Sequence, residues 1–200
     1  MASINYATKE INCKLVYYGP GMCGKTTNLQ VIHSRLDANK RADMVSLATP
    51  GERTLYFDFL PISMAEINGF VVKFGLYTVP GQVMYNATRK LVLRGADGVV
   101  FVADSQWRLM QENVDSLENL QANLAEYNVN LNELPYIMQY NKRDLPEIAP
   151  TWYMDYLLNG RGVPTYEACA TEGKGVFTTL SVLCRFVIRD LVHRFESGSF

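Results

Sequence analysis

Residues 54–60 read as an alternating stretch, with Leu55, Phe57 and Phe59 on one side and Thr54, Tyr56 and Asp58 on the other. A period of two predicts a strand with one covered face. Gly69 separates this segment from a second β-rich stretch over 70–77, and the pair reads as a hairpin. Stretch 12–18 is the first clear strand of the chain, while 98–103 and 136–140 are continuous apolar or aromatic runs. Such runs suit central strands covered on both faces. A last short strand fits 165–168.

Helical spacing fills the intervals. A helix over 25–35 starts directly from a glycine-rich turn. From Met110, the residues Val114, Leu117, Leu120, Leu124 and Tyr127 recur every three or four positions. Phe177, Leu180, Cys184, Val187, Ile188 and Leu191 repeat the pattern, so each stripe packs one helix face on the sheet. Trp152, Tyr153, Tyr156 and Leu157 read as another packing face. Strands alternating with helices predict an α/β fold of three layers, a mostly parallel sheet flanked by helices.

Composition narrows the function classes. The 200 residues fit one domain, 1–200, and an apolar share of 48% is that of a globular chain. A net charge of −1 gives no reason to expect nucleic acid or an anionic membrane as the main ligand. The four cysteines form no C-x-x-C pair and have no histidine cluster beside them, so a structural zinc site is not expected. No apolar run approaches the roughly 20 residues that cross a bilayer. Ala2 stands where myristoylation needs glycine, and the end of the chain carries no prenylation cysteine. The expectation is a cytoplasmic protein without a lipid anchor.

Two motifs carry chemistry. Strand 12–18 runs into Gly19-Pro20-Gly21-Met22-Cys23-Gly24-Lys25-Thr26, a complete G-x-x-x-x-G-K-T. Its glycines allow successive N–H groups to face one concavity, and the helix that follows adds its positive end. Gly19, Gly21, Met22, Cys23, Gly24, Lys25, Thr26 and Thr27 are therefore the candidate phosphate-binding residues, with Lys25 bridging β- and γ-phosphates and Thr26 on Mg²⁺. Asn141-Lys142-Arg143-Asp144 follows the strand over 136–140, at the edge where open α/β sheets bind ligands. The Asp144 carboxylate can accept from both N1–H and the 2-amino group of guanine, donors that adenine lacks. Asn141, Lys142 and Asp144 thus form the candidate base site, and the N–H of Ala170 is placed to meet the guanine O6.

In this order the motifs resemble those of the Ras-like small GTPases across nearly the whole chain. The runs Tyr17-Tyr18-Gly19-Pro20-Gly21, Glu52-Arg53-Thr54-Leu55 and Leu76-Tyr77-Thr78-Val79-Pro80-Gly81-Gln82 are similar, more narrowly, to the bacterial MglA family. So is Tyr140-Asn141-Lys142-Arg143-Asp144-Leu145-Pro146. The resemblance implies a GTP/GDP switch with Mg²⁺, slow alone and stimulated by an MglB-type roadblock-domain homodimer that inserts no arginine. It implies Gly81 on the γ-phosphate, Gln82 positioning the attacking water, Thr54 on Mg²⁺ in the GTP state, and Arg53 as an arginine finger supplied in cis. It also implies polarity and motility effectors, gliding or type IV pili, and recruitment to a cell pole.

One position departs from most small GTPases. Their D-x-x-G begins with a carboxylate that helps hold Mg²⁺; here Thr78 begins it, as in the MglA family. That loss of charge keeps open a nucleotide-dependent polar scaffold with negligible hydrolysis. An Arf-like membrane GTPase is opposed by Ala2, and a P-loop ATPase by the guanine motif. Asp58, which shares a strand face with Thr54, is the candidate compensating carboxylate. Asp58→Ala is accordingly expected to shorten Mg²⁺-dependent nucleotide retention, measured as the release rate of a fluorescent GDP; an unchanged rate removes Asp58 from that role.

Overall fold

The computed structural model describes residues 2–37, 43–49, 53–67, 69–82 and 85–196. In chain order its elements are β1 (Ser3–Asn5), β2 (Glu10–Tyr18), α1 (Lys25–Arg35), β3 (Val45–Thr49), β4 (Arg53–Ile67), β5 (Phe70–Thr78) and α2 (Asn86–Leu93). There follow β6 (Gly98–Asp104), α3 (Met110–Ala125), β7 (Tyr136–Asn141), α4 (Thr151–Leu158), β8 (Thr165–Glu167) and α5 (Val176–Glu196). The strands form one sheet in the order β3-β4-β5-β2-β6-β7-β8, with β1 joined to β2 beside that path. Pairings among β5, β2, β6, β7 and β8 are parallel, whereas β1–β2, β3–β4 and β4–β5 are antiparallel. This is the three-layer α/β arrangement that the alternation of strands and helices predicts.

Strand β2 shows why the sheet is central. Successive residues point to opposite faces, and Leu15 and Tyr17 enter one core while Val16 and Tyr18 enter the other. The first core is closed by Leu29 and Ile32 of α1 and by Leu180, Leu183 and Val187 of α5. The second is closed by Val92 of α2, Leu120 and Leu124 of α3, and Met154 and Leu158 of α4. Inside the first layer, buried Gln139 of β7 exchanges two amide hydrogen bonds with Asn28 of α1, at 2.9 and 3.0 Å, and donates to Thr179 Oγ1 of α5 at 3.1 Å. A buried amide needs such partners. These bonds lock α1 and α5 to the sheet directly beneath the phosphate loop.

The hairpin is longer than its sequence pattern indicates. β4 and β5 pair from Ile67↔Phe70 up to Phe59↔Tyr77, with a register shift between Ser63 and Ala65. Residues 53–58 continue past the end of β5 and pair with β3. Strands β1 and β3 and helix α2 have no counterpart in the sequence reading. Helix α4 corrects it: Met154 and Leu158 are buried, while Trp152 is 69% and Tyr156 83% exposed. The segment Trp152-Tyr153-Met154-Asp155-Tyr156-Leu157-Leu158 is apolar on nearly every side, so periodicity does not select which stripe meets the sheet.

Helix α5 crosses the sheet closely at Gly98, where an added Cβ would lie 2.8 Å from Val187 Cγ2 and 3.1 Å from Leu183 Cδ1. Overpacking at such a contact costs about 1–3 kcal/mol. Gly98→Val is expected to lower the stability measured by urea unfolding by about that amount, with no change in the slope of the transition.

Candidate functional site

The predicted residues converge on one edge of the sheet, the carboxyl ends of the parallel strands β2, β5, β7 and β8. Gly19 to Gly24 join β2 to α1. Gly24 caps α1 in the left-handed region, with φ of 102°, and a Cβ there would fall 2.2 Å from Asn141 Nδ2. Glycine is thus required twice, for its dihedral and for the approach of Asn141. Met22 also has a positive φ of 58° and is 76% exposed. Lys25, Thr26 and Thr27 form the first turn of α1, where backbone N–H groups have no acceptor within the helix. The Lys25 ammonium is buried and donates to the carbonyls of Gly19 at 3.0 Å and Pro20 at 2.6 Å. Burial pushes the neighbouring Cys23 thiol up, which keeps it protonated and unreactive.

Gly81 and Gln82 follow β5 and lie against this loop. A Cβ on Gly81 would sit 2.2 Å from Gly21 Cα, so the two backbones touch and no larger residue fits. Thr78, the last residue of β5, is fully buried.

On the base side, Asn141 joins what the sequence separates. Its Nδ2 donates to the Cys23 carbonyl at 2.8 Å, and its Oδ1 accepts the Ala170 N–H at 2.9 Å. Ala170 opens a 3-10 turn after β8. Lys142, at φ of 64°, reaches the fully buried carboxylate of Asp104 at 2.6 Å. That carboxylate also accepts from Gln106 N at 3.1 Å and Gln106 Nε2 at 3.0 Å. A buried charge held by a counter-ion and two further donors meets the condition for tolerating burial. Asp144 is exposed and lines a cleft of about 210 Å³ with Arg143, Glu167, Ala168, Cys169 and Lys174.

The comparison with known proteins decides the family. The chain is 56% identical, over 191 residues, to the Mutual gliding-motility protein MglA of Myxococcus xanthus (strain DK1622), a match covering 96% of this chain and 98% of that protein. The chain belongs to the MglA family. No family profile matches it. Its sheet and helices are the α/β, Ras-like arrangement that the motifs resemble.

Two expectations for an MglA-family chain rest on β4. Arg53 and Thr54 open that strand, paired to Thr49 and Ala48, and the antiparallel register carries them past β5 toward the phosphate-loop edge. Their side chains and that of Asp58 lie outside the described residues, as does Glu52. Among the described residues no group of three or more His, Cys, Asp and Glu could hold a metal ion. Thr26 stands in the first turn of α1 and Thr78 at the end of β5; threonine hydroxyls, as a residue type, suit a cation such as Mg²⁺ that takes most of its ligands from phosphate and water. Among the described residues, no helix is long and apolar enough to cross a membrane.

Asp104 and Arg89 are absent from the sequence reading. Asp104 left a trace, a carboxylate ending a strand otherwise free of charge; Arg89 left none. Asn141→Ala removes a donor and an acceptor and strands the Cys23 carbonyl and the Ala170 N–H. Each buried unpaired group costs about 1–3 kcal/mol, so urea unfolding should show a loss in at least that range, together with faster release of guanine nucleotide.

Proposed function

We propose that this protein is a GTP/GDP switch, one nucleotide-binding domain over 1–200, that hydrolyses GTP to GDP and phosphate and serves motility and cell polarity. The observation that carries this reading is the Asn141 tie. It makes the phosphate loop and the base-side loop a single preorganised unit, which a ligand spanning both needs. In this reading Asp144 and the Ala170 turn take guanine, and Lys25 moves from two carbonyls to the β- and γ-phosphates. Gly21 through Thr27 surround the phosphates with N–H groups. The gliding-motility name of the Myxococcus relative supports the biological part.

Thr26 and Thr54 would hold Mg²⁺, which when bound supplies positive charge at the phosphate oxygens. The remaining work belongs to the chain. Gly81 offers its N–H to the γ-phosphate, Gln82 orients water, and Arg53 spreads its charge over the transferring group. An MglB-type roadblock dimer would order Arg53 and Gln82, and polarity and motility effectors would read the GTP form at a pole. A nucleotide-dependent scaffold is the second reading, favoured by the buried, uncharged Thr78 in place of a carboxylate.

Single-turnover hydrolysis with and without a roadblock dimer separates the two. The dimer should accelerate the wild type, and Arg53→Ala should lose about a thousandfold of the stimulated rate, as when an arginine finger is removed. Gln82→Ala should slow both conditions without weakening GDP binding. GTP retained with no phosphate release in either condition would leave only the scaffold.

A further inference from the structure

Arg89 of α2 is 1% exposed, and among the described residues no carboxylate pairs with it. A buried guanidinium is costly unless its donors are used, and here they are spent on the loop that follows β5. Nε donates to the Pro80 carbonyl at 2.8 Å, and Nη2 donates to the Gly81 carbonyl. Nη1 donates to Asn119 Oδ1 of α3 at 2.7 Å, and the guanidinium carbon lies 5.5 Å from the centroid of the Tyr18 ring.

The geometry of the peptide unit turns these two bonds into an orientation. Among the described residues there is no cis peptide bond, and in a trans unit the N–H points opposite to the C=O. Holding the carbonyls of Pro80 and Gly81 toward α2 aims the N–H groups of Gly81 and Gln82 the other way. The phosphate loop lies within touching distance of Gly81, at Gly21. We propose that Arg89 is a positioning residue, whose fork on two successive carbonyls aims the Gly81 and Gln82 N–H groups for a third phosphate and so makes the site discriminate GTP from GDP. This rests on the switch reading above and deepens it.

The rest of the network fixes the fork itself. Asn119 Oδ1 also accepts from Tyr18 Oη at 2.6 Å and Asn123 Nδ2 at 3.2 Å, and Asn119 Nδ2 donates to Asn86 Oδ1 at 3.0 Å. Tyr18 is the residue immediately before the phosphate loop, and Asn86 opens α2. Arg89 is therefore held between the start of one loop and the end of the other. A lysine keeps the charge but cannot span two carbonyls with a rigid fork.

Equilibrium binding of fluorescent GDP and of a non-hydrolysable GTP analogue tests the role, with single-turnover hydrolysis beside it. Arg89→Met should bind GDP within about threefold of wild type but lose about tenfold for the analogue, the worth of one hydrogen bond to a charged group. Hydrolysis should fall with it, and Arg89→Lys should not restore either. Asn119→Ala, which leaves the carbonyl bonds in place, should show a smaller loss that is again selective for the analogue. Equal losses for both nucleotides, or none, overturn the proposal. If Arg89→Met does not fold, Asn119→Ala decides by the same criterion. Wild type that binds neither nucleotide removes the switch reading and this role with it; normal wild type with unselective variants removes only the role of Arg89.

Discussion

Asn141 is one amide side chain between two loops that lie far apart in sequence, and the architecture of the site depends on it. Its donor and acceptor are both used on backbone groups, one in the turn between β2 and α1 and one in the turn after β8. Side chain to backbone bonds of this kind fix the loops without depending on their side-chain identities. The contact is possible only because Gly24 has no side chain at the point where Asn141 arrives. Two motif residues that are usually discussed for what they offer a ligand therefore also fit one another.

Around that tie the polar groups divide into two layers. On the α1 and α5 side, Asn28, Gln139 and Thr179 exchange neutral hydrogen bonds beneath the phosphate loop. On the α2 and α3 side, Tyr18, Arg89, Asn119 and Asn123 form a network that ends on the carbonyls of Pro80 and Gly81. The first layer contains no charge and joins whole elements. The second contains one buried cation and joins a helix to a short connecting segment.

The glycine-rich loop and the Asn-Lys-x-Asp run were legible because their chemistry is written in adjacent residues and needs only a strand before and a turn after. The central strands were legible because burial on both faces leaves an unbroken apolar run. Gln139 shows where that rule fails, since a fully satisfied buried amide looks like an exception to the pattern until its partners on two helices are known. Arg89 was illegible for a stronger reason: an arginine in a short helix ordinarily faces water, and only the approach of the segment after β5 and of Asn119 on α3 gives it acceptors. Helix α4 misled because it is apolar on several sides, and the face it buries is set by the sheet rather than by its own period.

The exposed aromatic corner has a practical consequence. Both tryptophans of the chain, Trp107 and Trp152, flank Tyr153, whose ring centroid lies 4.8 Å from the first and 5.8 Å from the second. Intrinsic emission excited at the indole band therefore originates from a single corner, from indoles within reach of aqueous quenchers. Trp107 is chain neighbour to Gln106, which hydrogen-bonds the Asp104 carboxylate that Lys142 grips. A spectroscopist gains a reporter tied to the base side of the cleft, with no indole at the phosphate end.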